Sequence, residues 1–305
     1  MKDKTYKRHP GFFKTREDTK DWLDKMGVEN YTINDDLIVD VDGNVFLYNK
    51  NLDYIPVQFG LINGYFICSY NNLTSLEGCP TEVSWDFDCS NNSLTYLEHC
   101  PTEVGGYFDC QNNNLTSLKG CPTKVGGYFD CQNNTLTSLK GCPTEVVRYF
   151  SCSNNNLKSL EHCPTEVDRD FYCDNNNLTS LKGCPIEVGG SFVCSNNSLT
   201  FLEYSITQVG GDFYCYNNII VSEIPKDYLG RYNPSWKTSD PDLISIRFFD
   251  KLEGLDFDTK VDVLSTLKKL YPEFYNSAAF QAYNPDSMLG RIKRSKEATG
   301  GLFDL

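Results

Sequence analysis

Residues 104–122, VGGYFDCQNNNLTSLKGCP, are one copy of a unit that recurs every 21 residues, with the skeleton V-x-x-x-F-x-C-x-x-N-x-L-x-x-L-x-G-C-P. The Phe returns at 66, 87, 108, 129, 150, 171, 192 and 213. The Asn returns at Asn71, Asn92, Asn113, Asn134, Asn155, Asn176, Asn197 and Asn218. Thirteen of the 14 cysteines, from Cys68 to Cys194, fall alternately 11 and 10 residues apart, and Cys215 follows one period later. A fixed period of this size marks a stack of like units, each completing its apolar core against its neighbours. A ninth, degenerate copy begins at Val45 and Leu47 and runs through Leu52 and Ile55, with Lys50 in the Asn place, as suits an edge coil.

Within one copy, F-x-C alternates with polar residues, the period of a short strand with one buried face. The x-x-N-x-L segment turns the chain away, Leu115 and Leu118 fill the middle of the coil, and Gly-Cys-Pro turns it back. A column of Asn side chains is expected to be a structural ladder, satisfying turn backbone groups that burial would leave unpaired.

These residues carry a resemblance to the leucine-rich repeat, L-x-x-L-x-L-x-x-N-x-L, with Phe108, Cys110, Asn113 and Leu115 on its last four fixed positions. The resemblance covers roughly residues 45–222. The unit is most similar to the short repeats of bacterial effector proteins and to a Gly-Cys/Ala-Pro variety found in proteins of bacteriophages and bacteria. Two departures stand out: the period is 21 rather than 20, and Leu-x-Gly-Cys-Pro replaces the effectors' Leu-Pro. The ubiquitin-ligase domain of some effectors uses a cysteine nucleophile, and no Cys lies beyond Cys215, so that activity does not carry over. The resemblance implies an α/β-type repeat solenoid: a leucine-rich-repeat horseshoe with one short parallel strand per coil, little helix in the coils and a helical C-terminal region.

The expected organisation is an N-terminal cap over 1–44, a solenoid of about nine 21-residue coils over 45–224, and a helical cap or domain over 225–305. In the N-terminal part, Thr15 is placed to cap a helix over 15–26 with Asp18 three residues on and Trp22, Leu23 and Met26 on one face. Residues 37–48 read as a hairpin around Asp42-Gly43. After Pro225, helices are expected near 241–253, 257–270, 273–282 and 286–296. A basic stretch, Arg291 to Lys296, then leads to the tail Leu302-Phe303-Asp304-Leu305. Leu302, Phe303 and Leu305 resemble short C-terminal peptides by which phage replication and transcription proteins dock on a sliding clamp. The alternative is that they pack on the helices or fray.

At 305 residues and 40% apolar content the chain can bury a core. No apolar run approaches the length of a membrane span, and the charged first ten residues lack the apolar core of a secretory signal, so no membrane partner and a cytoplasmic location are expected. If the protein is viral, that means the host cytoplasm or a virion. The cysteines read as free, small core hydrophobes. The Cys68 and Cys79 series are expected at opposite ends of each coil, with no metal site and no cofactor. The net charge is −13, and Gly64 to Ser222 carries seven Lys and Arg against 17 Asp and Glu, which disfavours nucleic acid on the solenoid and favours a basic or neutral protein partner.

Residues beside the inward Phe and Cys should line the open, concave face of the strand sheet. There the repeat places Tyr65, Asp86, Tyr107, Tyr128, Tyr149 and Asp170 in one column, Asp88, Asp109, Asp130 and Tyr172 in a second, and Asp174 in a third. Tyr107, Tyr128 and Tyr149 are expected to stack beside Asp88, Asp109 and Asp130. Aromatics beside carboxylates suit a Lys- or Arg-bearing protein; equally, the rings can serve as lateral pairs that stabilise the sheet. The sequence therefore points to a protein-interaction module. A structural or virion-associated spacer, with contacts made by the C-terminal helices or tail, is the alternative, and carbohydrate binding is a second. Catalysis has little support: His99 and His162 each stand for the Gly before a corner Cys, His9 lies in the N-terminal arm, and no nucleophile and carboxylate can be placed beside them.

Overall fold

The computed structural model describes residues 11–199, 208–215 and 217–218, together with Val261 and Leu264. The chain is a parallel-strand β-solenoid. An Asn amide from one coil reaching back into the coil before it is the recurrent bond of the fold. Asn134 Nδ2 donates to the carbonyls of Cys110, Cys131 and Gln132, each at 3.1 Å. Its Oδ1 accepts the Leu115 N–H at 2.9 Å. The same set repeats from Asn71, which accepts from Lys50 and Leu52, to Asn218, which accepts from Leu199 and donates to Cys194 and Cys215. Each amide thus closes the turn of the preceding coil and its own. Lys50 is tolerated in the Asn place because its coil comes first and has no earlier turn to close.

The residue before each ladder Asn takes the left-handed conformation: Tyr70, Asn91, Asn112, Asn133, Asn154, Asn175, Asn196 and Asn217 have φ of 52–56°. Asn adopts this region more readily than other side chains. The corner before each Cys of the Cys79 series is also left-handed, with Gly120 at φ 90° and Gly141 at φ 94°. His99 and His162 occupy that corner at φ 72° and 75°.

Each coil contributes two short parallel strands, not the single strand expected from the sequence. One is the Phe strand, from Val45–Phe46 and Phe66–Ile67 through to Phe213–Tyr214, and these form a nine-stranded sheet in strict 21-residue register. The other is built on the Glu-Val pair, as in Glu103–Val104, which pairs with Glu82–Val83 and Lys124–Val125. Only its Val is buried, so its apolar signal is one residue per coil. The first four of these strands continue Tyr31–Ile33, Ile38–Val41 and Gln58–Ile62 in a seven-stranded sheet, the last three form a separate sheet, and the ladder stops between Glu145–Val146 and Glu166–Val167. Gly105-Gly106 and Gly126-Gly127 are replaced there by Val147-Arg148 and Asp168-Arg169. A Cβ at Gly126 would overlap the Gly105 carbonyl, so the tight stack at this corner needs glycine. With Val147 in place, the N–H to Val125 O bond lengthens to 3.4 Å, against 3.0 Å for Gly126 to Val104 O.

The core is a set of columns. Phe66 to Phe213 stack ring on ring with centroids 5.2–5.8 Å apart. Neighbouring planes lie within 10° of each other except at Phe129–Phe150, where they open to 25°. Leu and Cys columns pack beside them.

At the N-terminal end, α1 (Arg16–Met26) starts at Thr15, whose Oγ1 accepts the Asp18 N–H, and ends at the left-handed Gly27. Leu23 is fully buried, and the Trp22 ring lies 6.5 Å from Phe59, which meets Phe66 edge-on. Helix α1 therefore continues the Phe column and seals its open end. The hairpin expected around Asp42-Gly43 is not formed. β1 (Tyr31–Ile33) pairs antiparallel with β2 (Ile38–Val41), across a turn where Asn34 Oδ1 accepts the N–H groups of Asp36 and Ile38. β3 (Val45–Phe46) belongs to the Phe sheet, so Asp42-Gly43 is the corner of the first coil. The C-terminal helices and tail expected beyond Pro225 lie outside the described residues, apart from Val261 and Leu264, which have helical backbone; Leu264 is fully buried.

Two substitutions separate the amide from its neighbour. Asn134→Ala strands two carbonyls and an N–H and should cost roughly 2–4 kcal/mol in equilibrium unfolding. Asn133→Ala should cost only the ~1–2 kcal/mol of a left-handed L-residue. In the opposite direction, His162→Gly should stabilise the coils by about 0.5–1 kcal/mol, because it relieves the same backbone penalty.

Candidate protein-binding face

The outer side of the Phe sheet carries the residues that the repeat leaves variable. All eleven residues singled out there are on this face and at least partly solvent-accessible, and Tyr128 is 42% exposed. The acids divide into two kinds. Asp86 and Asp170 each accept, through Oδ1, the N–H of the residue 21 positions on: Tyr107 at 2.8 Å and Ser191 at 2.7 Å. Asn44 does the same for Tyr65. These are inter-coil braces. Asp174 is held by the Ser153 hydroxyl and the Asn175 amide.

Asp88, Asp109 and Asp130 are the lateral row. They lie opposite one another in parallel register, at the ~4.8 Å spacing of adjacent strands. Each accepts the backbone N–H two residues on, at 2.9 Å. Gln111 and Gln132 also donate their side-chain amides to Asp109 and Asp130, and Gln132 bridges to Gln111. Burial pushes the Asp109 carboxyl up to about 7, with Asp88 and Asp130 adding to the rise against the opposing pull of the Gln111 bonds. Burial pushes Asp130 up to about 6 against hydrogen bonds from Gln132 and the nearness of the Ser151 hydroxyl. Among the described residues no lysine or arginine pairs with this row; the ion pairs there are Arg16–Asp35, Lys119–Glu98, Lys124–Glu145 and Lys182–Glu161.

The tyrosines do not form the expected Tyr107–Tyr128–Tyr149 stack. Ring contacts run Tyr128–Tyr149 at 5.6 Å and Tyr149–Tyr172 at 5.2 Å, because Tyr172 leans diagonally across from the second column. Tyr107 stands apart beside Asp88 and Asp86, its phenol pushed up to about 12 by burial and these acids. Tyr65 contacts Trp85 at 5.7 Å. Sequence reasoning passed over Trp85, Phe46, Tyr48 and Tyr70, each exposed by 47% or more near the N-terminal end of the solenoid. For Trp85 and Tyr70 the signal was available, since each breaks a column that is elsewhere small or polar; Phe46 shares its column with Ile67, Tyr172 and Val193 and does not stand out.

None of the 14 thiols is joined in a disulfide. The two series are not at opposite ends of the coil as expected, since Cys79, whose thiol burial raises, lies close enough to Cys68, Cys89 and Cys100 for each to push it further up. Burial raises the Cys142 thiol to about 12, and holds Cys110, Cys131 and Cys152 well above the usual thiol range. On the other sheet, Glu82, Glu103 and Glu145 edge a shallow groove of about 380 Å³ floored by Gly105 and Gly126. No helix among the described residues is long and apolar enough to cross a membrane, and no group of three or more His, Cys, Asp or Glu there could hold a metal ion. Compared with protein-family models and with curated proteins, the sequence matches neither.

A carboxyl whose pKa is raised by folding takes up a proton that the unfolded chain releases at ordinary carboxylate pH. The contribution of Asp109 and Asp130 is therefore fully present below about pH 4 and lost as pH rises through about 6 and 7. Thermal unfolding followed from pH 5 to pH 8 should show falling stability across this window. Asp109→Asn should flatten the dependence and gain on the order of 1–3 kcal/mol at pH 8.

Proposed function

We propose that this chain is a leucine-rich-repeat-type recognition module, without enzymatic activity, that binds a basic or neutral protein on the acidic, tyrosine-bearing face of its Phe sheet. The spacing of Phe, Cys, Asn and Leu supports the repeat class, although two strands per coil depart from its simplest form. The observation that carries the reading is the lateral row Asp88, Asp109 and Asp130, in which Asp109 and Asp130 are desolvated and no lysine or arginine among the described residues is paired, beside the Tyr128–Tyr149–Tyr172 cluster. Side-by-side carboxylates repel one another, and the N–H and Gln bonds they accept leave the Asp109 and Asp130 carboxyls still raised. A cationic partner would offset that cost, and rigid aromatic area supplies contact at little entropic expense.

A bacterial or phage setting follows from the repeat's resemblance. Fourteen uncrosslinked cysteines suit a reducing cytoplasm. Affinity capture with the full chain and with the Tyr128→Ser/Tyr149→Ser/Tyr172→Ser variant, at low and high salt, tests the reading. The expected outcome is a partner held by the wild type, weakened by salt and lost from the variant. Full retention of every partner by the variant would move function off this face, towards the region beyond Pro225.

A further inference from the structure

The lateral acid row ends at a hydroxyl. Ser151 follows Asp130 in the same register and on the same face, and Tyr172 follows Ser151. Although it points to the outside of the sheet, Ser151 is only 1% exposed, flanked by the contacting rings of Tyr149 and Tyr172. Its Oγ lies near enough to Asp130 and Tyr149 to pull both of their pKa values down, yet completes no hydrogen bond of ordinary geometry. Leaving a buried hydroxyl in that state costs stability. Solvent-facing strand positions seldom hold such a group unless something else satisfies it. The Phe129–Phe150 step directly beneath is the one place where the Phe column opens its ring planes.

We infer that Asp109, Asp130 and Ser151, walled by Tyr128, Tyr149 and Tyr172, form a receptor for one arginine side chain of the partner protein. This rests on the reading of the face as a recognition surface and names what it recognises. A guanidinium has planar, forked donors that match two carboxylates and a hydroxyl acceptor, and a flat cation that stacks on phenol rings. An ammonium, compact and strongly hydrated, fits the second requirement poorly.

The groups facing the acid pair are Asp88, Tyr107 and Gln111 from the preceding side, and Gln132, Tyr128, Tyr149 and Tyr172 from the following side. Asp86 and Asp174 are engaged by their own donors, and no cation pairs with these acids among the described residues. Arginine entry therefore requires both acids ionised, and below neutral pH it releases a proton.

Titration calorimetry of the full chain with a tetra-arginine peptide, in two buffers of different ionisation enthalpy at pH 6.5, tests this; tetra-lysine serves as the comparison. The expected result is proton release on binding, affinity rising several-fold from pH 5.5 to pH 8, and a clear preference for arginine over lysine. Asp109→Asn/Asp130→Asn should cut arginine affinity roughly tenfold and abolish proton release. Ser151→Ala should weaken arginine binding and narrow the preference over lysine. Glu187→Gln, in a Glu-Val strand of the other sheet, should change affinity by less than about twofold. Circular dichroism of each variant checks that the coils are folded.

Equal affinity for both peptides, or unchanged arginine binding in the folded double variant, would overturn the inference. If the tyrosine variant loses its captured partner while the folded double-Asn variant keeps it, the face is a recognition surface but not an arginine receptor. If both keep it, the wider reading fails as well.

Discussion

Each coil of this protein is closed by a side chain that belongs to the next one. The Asn amide at the end of each F-x-C strand satisfies, together, the carbonyl of the preceding coil's Cys, the carbonyl of its own Cys and a Leu N–H of the preceding coil. A two-residue strand makes too few ladder bonds to hold a turn by itself. With the amide in place, the turn is buried without unpaired groups and the Leu and Cys columns can close over it. The direction of the clamp, always towards the N-terminus, explains why Lys50 is acceptable in the first coil and why α1, not another amide, seals that end.

Because the amides, the Phe column and the left-handed Asn residues carry the architecture, the outer face of the Phe sheet is released from packing. It nevertheless does not drift to an unremarkable polar surface. It concentrates carboxylates at strand spacing, wraps them in glutamine amides and sets them against rings, so that Asp109 and Asp130 are drier than solvent-facing aspartates elsewhere. The same stretch of chain replaces the Gly-Gly corners by Val147-Arg148 and Asp168-Arg169 and interrupts the second sheet. Irregularity in a repeat protein is informative because every other coil supplies the control.

The sequence made the solenoid, the inward Phe and Cys columns, the capped first helix and the variable face legible, since all rest on period and residue type. It did not reveal the second strand of each coil, because that strand offers a single buried Val amid exposed Glu, Gly and Ser. The Asp42-Gly43 pair misled for a physical reason: a turn signal reports a change of direction, and a coil corner changes direction as a hairpin does. Asn34, whose side chain in fact organises the hairpin, lies in a stretch with weaker alternation. On the face itself, column membership was readable but function within a column was not. Asp86 and Asp109 look alike in the repeat, yet one braces a neighbouring strand's N–H and the other is left desolvated among like charges. Tyr172 joined the ring cluster in place of Tyr107 because aromatic side chains reach diagonally, which a column alignment does not represent.

Native-state hydrogen exchange at single-residue resolution addresses the amide clamp most directly. The N–H groups of Leu94, Leu115, Leu136 and Leu157 lie in turns and bond to nothing but an Asn Oδ1 of the following coil. If the clamp holds the coils together, these four should exchange as slowly as the strand N–H groups of Phe108, Phe129 and Phe150, opening only with the whole stack. Rapid exchange at the leucines beside protected phenylalanines would contradict the account and assign the cohesion of the solenoid to its strands and aromatic column alone.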